Sequence, residues 1–323
     1  MRALVTGGAG FVGSTLVDRL LAEGHEVDVV DDLSTGVLPN LADARADPEH
    51  KVTFHNLDIR NPGLVDLMAR REPEVVFHLA AQATVGLSVE QPIFDADVNV
   101  IGSLNVLEGA RRASTRKIVY AASGGTLYGE PDELPVKESA PQRPLSPYGV
   151  SKMVVTDYLV AYRELYELEF TALALANVYG PRQSPHGEAG IIAIFADRLT
   201  RGEPCVINGD GRHTRDYVYV DDVVDAFARA ADKGSGLTLN IGTGMETSNL
   251  DVYRAMATAA GVDTEPVFGP PRPGDVLRSA IDPGRAEIHL GWKPWTSMPE
   301  GVAAVLRFVS ETNPRPADAR PPT

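Results

Sequence analysis

Thr6-Gly7-Gly8-Ala9-Gly10-Phe11-Val12-Gly13 follows directly on the apolar run Ala3-Leu4-Val5. A Gly-x-x-Gly-x-x-Gly arrangement that leaves a strand and opens a helix has three physical uses. It allows a tight turn, lets backbone N–H groups approach a pyrophosphate, and packs the helix closely on the strand. The spacing therefore places Gly7, Gly10, Phe11, Val12 and Gly13 around the phosphates of a dinucleotide. The next apolar run, Val27-Asp28-Val29-Val30, ends in Asp31, eighteen residues after Gly13. A carboxylate there accepts hydrogen bonds from both ribose hydroxyls of an adenosine. Asp32 and Leu33 bring no arginine to neutralise a 2′-phosphate, so NAD is expected rather than NADP.

Outward from this stretch, the first 120 residues alternate β-branched runs (Val52-Thr53-Phe54, Val75-Val76-Phe77, Ile118-Val119-Tyr120) with helix-like segments such as Phe11 to Ala22 and Pro92 to Ala113. Continuous apolar runs separated by helices indicate buried parallel strands, so the fold class is α/β, a Rossmann-type doubly wound sheet. Asp58 and Ile59, just past the third run, are placed to flank the adenine. Ala80-Ala81-Gln82, just past the fourth, are placed at the pyrophosphate and nicotinamide ribose. After residue 176 Gly and Pro become frequent and the helices shorten, which predicts an NAD-binding domain over 1–176 and a smaller α/β substrate lobe over 177–312. Some segments of that lobe are free to return to the main sheet. Residues 313–323 hold four prolines and no apolar periodicity, the pattern of a disordered tail.

Composition narrows the functions. The 323 residues are 43% hydrophobic, with no apolar run of the roughly 18 residues a membrane helix needs. The N-terminus has no secretory h-region or cleavage site, so a cytoplasmic protein is expected. One cysteine, Cys205, excludes an intrachain disulfide and a Cys-rich zinc site, and the seven histidines show no metal-ligand spacing, so no metal is expected. A net charge of −14 opposes nucleic acid and anionic lipid as partners, and any phosphate ligand must be held by local cations.

Tyr148-Gly149-Val150-Ser151-Lys152 puts a phenol and an ammonium four residues apart on one face at the start of a helix. To act as a base near neutrality, the phenol must fall about three units from its value in water. Lys152 and an oxidised nicotinamide ring are the two positive charges expected to supply that shift.

With these motifs the chain resembles the extended short-chain dehydrogenase/reductases, and within them the nucleotide-sugar epimerases. The resemblance runs to about residue 310. It is carried by Thr6 to Gly13, Asp31 with Leu33-Ser34-Thr35-Gly36, His78-Leu79-Ala80-Ala81-Gln82, Asn99, Tyr148 to Lys152, Asn177-Val178-Tyr179-Gly180-Pro181-Arg182, and Thr214 to Asp222. It implies a tightly held NAD, touched by Asp32, Ser34, Thr35, Gly36, Leu79, Asn99, Tyr148 and Lys152 besides the residues above, and a UDP-sugar substrate. It also implies a homodimer built from the helices over 92–113 and 148–166. Tyr148 would take the sugar O4 proton while C4 is oxidised and then reduced on its other face, with no net redox.

One loop departs from the family pattern. Members place a Ser or Thr hydroxyl four residues before a Tyr-Gly pair, here Tyr128-Gly129, and that position is Gly124. The nearest hydroxyls are Ser123 and Thr126, with Ser123 the preferred catalytic partner of Tyr148. Gly124 and Gly125 also stand where 4,6-dehydratases carry an Asp-Glu pair, which removes the general acid that dehydration needs.

By resemblance, Ser123, Gly124, Gly125, Thr126, Tyr148 and Asn177 line the sugar site, Arg215 and Arg272 bind the phosphates, and Asp275 holds the nucleoside ribose. Ser279 stands where the family uses a bulky tyrosine or a small residue to refuse or admit 2-acetamido sugars. Uridine and thymidine are not distinguished by these residues. A lyase or decarboxylase on a related sugar nucleotide, a dehydrogenase that releases its reduced cofactor, and a noncatalytic NAD-binding regulator remain as rivals.

Overall fold

The computed structural model describes residues 1–186, 190–271 and 276–312. Seven parallel strands form the central sheet: β1 (Arg2–Thr6), β2 (Glu26–Asp31), β3 (Val52–Asn56), β4 (Val75–His78), β5 (Lys117–Ser123), β6 (Glu169–Leu175) and β7 (Leu237–Ile241). Their order is β7-β6-β5-β4-β1-β2-β3. Both faces are covered. Ala3, Val5, Val29, Phe77 and Val119 pack into one apolar cluster, while Leu4, Val30, Val76, Ile118 and Tyr120 pack into the other. This two-sided burial is why the strands read as continuous apolar runs. The strand order reverses between β1 and β4, and the crevice outside the carboxyl ends of an open parallel sheet at such a point is where ligands bind.

Three helices matter for the site: α1 (Phe11–Ala22), α2 (Gly102–Arg112) and α3 (Pro147–Tyr166). The stretch expected as one helix over 92–113 is broken. A short helix, Pro92–Ala96, runs into a π-helical turn over Asp97–Ile101 before α2 begins. Such turns wedge one extra residue into a helix and re-aim its side chains; here the residue re-aimed is Asn99.

Past residue 176 the chain forms three two-stranded pairings: Asn177–Tyr179 with Tyr217–Tyr219, Thr214–Arg215 with Thr247–Ser248, and Val206–Asn208 with Val267–Gly269. The helices Ile191–Arg201, Asn249–Ala260 and Met298–Thr312 pack together around them. Residue 176 divides the chain but not the core, because helix Val220–Ala230 packs on α1 and β7 pairs with β6 in the main sheet. Among the described residues no helix is long and apolar enough to cross a membrane, and no group of His, Cys, Asp and Glu is placed to hold a metal. The expected tail, 313–323, lies outside the described residues.

Candidate active site

The glycine turn is shaped by what surrounds it. Gly7 adopts φ +69°, and a Cβ there would stand 2.8 Å from the Ala80 nitrogen. A Cβ on Gly13 would collide with the Gly7 carbonyl, so α1 docks against the turn as closely as its backbone allows. Gly10 is the N-cap of α1 and supplies no side-chain cap, which leaves the first-turn N–H groups of the helix to a ligand. A helix N-terminus of this kind suits a diphosphate.

Across the crevice, Thr6 pairs with His78 in the sheet, and the Ala80 N–H donates to Thr6 Oγ1 at 3.2 Å, so the loops after β1 and β4 lie together. At the end of β2, the Asp31 carboxylate accepts from Ala9 N at 2.9 Å and Leu33 N at 2.8 Å. Burial raises its proton affinity, opposed by these two amide bonds. Gly36 passes so close that a Cβ would lie 2.8 Å from Asp31 Oδ1. A buried acceptor held still beside an uncapped helix start fits the adenosine ribose of NAD, and among the described residues no arginine side chain bonds to Asp31 in place of a hydroxyl.

Several residues expected at the cofactor have other partners. Ser34 donates its hydroxyl and its N–H to Asp32 Oδ1, and Thr35 is exposed beside them. Both Asp58 oxygens accept from the Arg60 guanidinium, which holds that carboxyl below its ordinary range, and Arg60 reaches on to Asp97 at 3.0 Å. The Ile59 side chain belongs to the core, against Gly102. Asn99, also expected at the cofactor, is bonded within the chain. Its Oδ1 accepts from Gln82 N, while its Nδ2 donates to Gln82 O and to Asp95 Oδ1, each at 2.9 Å. The π-turn aims it at the loop after β4, which it braces. Leu79, Ala80 and Ala81 present the backbone of the same loop, half-buried, to the crevice.

Helix α3 starts with Ser146 as its N-cap, the Oγ accepting from Gly149 N at 3.2 Å, and with Pro147 in its first turn. This fixes Tyr148 and Lys152 one turn apart. The Ser123 hydroxyl lies beside the Tyr148 hydroxyl, where it favours the phenolate. Lys152 is buried, its Nζ donating to Ala121 O at 2.9 Å and standing 4.9 Å from the Tyr120 ring centroid and 5.7 Å from that of Tyr148. Burial lowers Lys152 to about 8. Tyr148 moves the other way, up to about 12, because burial and the Asp95 charge outweigh the Ser123 bond. The Lys152 ammonium, itself desolvated over the ring, does not offset this rise alone. A positive ligand beside the phenol is needed to bring it toward neutrality.

The 123–127 loop explains the missing hydroxyl. A Cβ on Gly124 would stand 2.6 Å from Ile281 Cδ1 and 3.0 Å from Ala174 O, so a serine at 124 would crowd both, and the hydroxyl beside Tyr148 is that of Ser123. Gly125 is open, with Asn177 Oδ1 the nearest atom at 3.9 Å from where a Cβ would lie. Thr126 Oγ1 is buried without a partner. Asn177 is exposed at the start of its short strand, tied by its N–H to Asp216 O at 2.9 Å. Arg215 donates from Nη1 to Thr214 O at 2.8 Å and Val276 O at 2.6 Å, which braces the half-buried segment carrying Ser279. Arg272 and Asp275 lie outside the described residues.

Residues 4–305 match the protein family described as GDP-mannose 4,6 dehydratase. The chain belongs to that family. Within it, the chain is 51% identical over 309 residues to the UDP-glucose 4-epimerase of Mycolicibacterium smegmatis, covering 95% of this chain and 98% of the relative. Its structure is similar to the UDP-glucose 4-epimerase of Thermotoga maritima solved with UDP-glucose, with a TM-score of 0.93, 43% identity, and coverage of 97% and 99% of the two chains. It is also similar to the Thermus thermophilus UDP-glucose 4-epimerase solved as a complex with NAD, with a TM-score of 0.88, 42% identity, and coverage of 95% and 98%.

Two features of the site were not read from the sequence. One is Asp95, buried behind Gln82 and Asn99; an acid inside the otherwise apolar Pro92-Ile93-Phe94 run was the available signal. The other is His78, held neutral by burial at about 3 and bonded to Thr6 Oγ1 and Ser103 Oγ at 2.8 Å each.

Proposed function

We propose that this protein is a UDP-glucose 4-epimerase that interconverts UDP-galactose and UDP-glucose through a 4-keto sugar. The observation that carries the reading is the Tyr148 phenol with the Ser123 hydroxyl beside it and buried Lys152 one helical turn away, at the mouth of a crevice shaped for NAD. The 51% and 43% identical relatives that bear this activity in their names support it. Gly7 to Gly13 would hold the diphosphate of NAD, Asp31 its adenosine ribose, and the loop over 79–82 its nicotinamide end. When bound, NAD would supply the hydride acceptor for oxidation at sugar C4 and the hydride donor for its reduction on the opposite face.

Tyr148 takes the O4 proton as C4 is oxidised and gives it back as C4 is reduced. Ser123 orients both O4 and the phenol. Lys152 keeps a positive charge under the phenol ring and so favours the phenolate during transfer. Asn177 at the sugar, Arg215 and Arg272 at the phosphates, and Asp275 at the ribose complete the assignment. Dehydration is disfavoured because Gly124 and Gly125 offer no acid to expel a 6-hydroxyl. The small Ser279 side chain leaves room for UDP-N-acetylhexosamines as well.

The protein works as a homodimer on this reading. Ile93, Ile101, Val150, Tyr158 and Leu165 expose apolar surface on the two helical segments the family pairs, Ile93 at 85% and Leu165 at 69%. A monomer in analytical ultracentrifugation would exclude it. A cytoplasmic location goes with the assignment and is tested by fractionation.

The deciding experiment incubates the purified protein with UDP-galactose, without added cofactor, and follows the anomeric protons by NMR while the bound nucleotide is released and assayed. Formation of UDP-glucose with NAD retained establishes the activity. Bound NAD without conversion overturns it.

A further inference from the structure

The short helix Pro92–Ala96 brings one carboxylate, Asp95, wholly into the interior. Three side chains donate to it. Gln82 Nε2 and Asn99 Nδ2 reach Oδ1 at 2.9 Å each, and Ser151 Oγ reaches Oδ2 at 2.7 Å. The donors come from the loop after β4, from the π-turn and from α3, and Ser151 lies in the turn between Tyr148 and Lys152. All three donors are uncharged. A buried carboxylate is expensive to desolvate, and hydrogen bonding alone does not call for its charge, because an amide of the same shape satisfies most of these partners. The charge has an audience. Tyr148, Lys152 and Tyr120 all feel it, and each holds its proton more firmly for it. His78, on β4, faces Lys152 from the other side and is neutral. Of the remaining groups on the elements packed against this helix, Glu90 is exposed and Asp97 turns outward to Arg60.

We propose that Asp95 is a positioning residue for the reaction, pinning the turn between Tyr148 and Lys152 to the cofactor loop through Ser151 and Gln82 while its charge faces that pair. The inference rests on the assignment of Tyr148 and Lys152 above. It adds a residue that touches neither substrate nor cofactor.

Two variants of the cofactor-loaded protein separate charge from tether. Asp95→Asn keeps the shape and removes the charge, whereas Ser151→Ala keeps the charge and cuts the tie to α3. The first readout is the tyrosinate absorbance titration of each holoprotein, with the Tyr148→Phe holoprotein subtracted so that only Tyr148 is seen. The second is the pH profile of kcat and KM for UDP-galactose. Asp95→Asn should move the Tyr148 titration, and both limbs of the kcat profile, down by about one pH unit, the effect of removing a nearby negative charge. Ser151→Ala should leave those positions unchanged and lower kcat several-fold, with KM held within about twofold.

An Asp95→Asn protein that titrates like the wild type overturns the proposal, as does a Ser151→Ala protein with wild-type kcat. If Asp95→Asn fails to fold or to keep its cofactor, the kcat of Ser151→Ala decides alone. Absence of turnover on any UDP-hexose would defeat the epimerase reading, and the tyrosinate titration would still judge Asp95.

Discussion

Lys117 and Lys152 are both buried lysines held by a backbone carbonyl, and they lie toward opposite ends of β5. Lys117 opens the strand and donates to Lys233 O at 2.6 Å; Lys152 reaches Ala121 O, near the strand's carboxyl end, at 2.9 Å. Burial lowers both to about 8. Proton affinity does not tell them apart, but their surroundings do. Lys117 has Glu169, Asp232 and Arg116 around it, at the end of the sheet away from the crevice, whereas Lys152 lies beneath a phenol that has a serine hydroxyl beside it. A displaced pKa is a pointer to function only when the group also has a reacting partner in a ligand-sized crevice.

The strongest way to break this comparison is by substitution. Tyr148→Phe and Lys152→Met should each lower turnover of UDP-galactose by roughly 10²–10⁴-fold, the range for losing a positioned proton-transfer group. NAD should remain bound to Tyr148→Phe, as judged by nucleotide release. Lys117→Met should keep wild-type turnover. Equal losses for the two lysine variants would show that burial, and not the company of Tyr148, makes Lys152 important.

The comparison extends to two adjacent glycines. Gly124 is hemmed in by Ile281 and Ala174, while Gly125 faces open space toward Asn177. Gly124→Ala should destabilise by about 1–3 kcal/mol in urea unfolding, the usual penalty for overpacking. Gly125→Ala should stay within about 0.5 kcal/mol of wild type. A harmless Gly124→Ala would leave the displacement of the catalytic hydroxyl to Ser123 without its steric cause.

These pairs also mark how far the sequence could be read. The parallel strands, the glycine turn and Asp31 were legible because each is a local pattern with one physical explanation: two-sided burial, close backbone approach, a strand-end acceptor. Tyr148 and Lys152 were legible from helical spacing. The direction of the Tyr148 shift was not, because it is set first by burial in the folded crevice, with Asp95, more than fifty residues away in the chain, adding to it. The Asp95–Gln82–Asn99–Ser151 network joins segments that only the π-turn and the α3 packing bring together. Arg215 is expected at the phosphates by resemblance, and the structure adds Nη1 donating to two carbonyls, a use that no spacing in the sequence announces.

Selectivity at the far side of the site should respond more gently. Ser279→Tyr should reduce activity on UDP-N-acetylgalactosamine about tenfold relative to UDP-galactose, since steric exclusion of one substituent is worth a few kcal/mol at most. Assaying both substrates with one enzyme preparation cancels any loss of stability. An unchanged ratio would remove Ser279 from the sugar site.

The smallest effect concerns the two lysines again, this time through folding. Each has a folded-state pKa near 8, below the value of about 10.4 it takes in an unfolded chain. Between these limits the unfolded chain holds more protons than the folded one, so stability rises with pH. The largest slope is about 1.4 kcal/mol per pH unit for each lysine. Above about pH 10 the buried tyrosines oppose it, because their raised pKa values make the folded state the better proton holder. The clean window is therefore pH 8 to 10, read by urea unfolding at each pH. Lys117→Met should remove about half of the rise there, and Lys152→Met the other half. If Lys117→Met removed none of it, the Lys117 ammonium would be better solvated than its burial implies, and the two lysines would cease to be alike even in proton affinity.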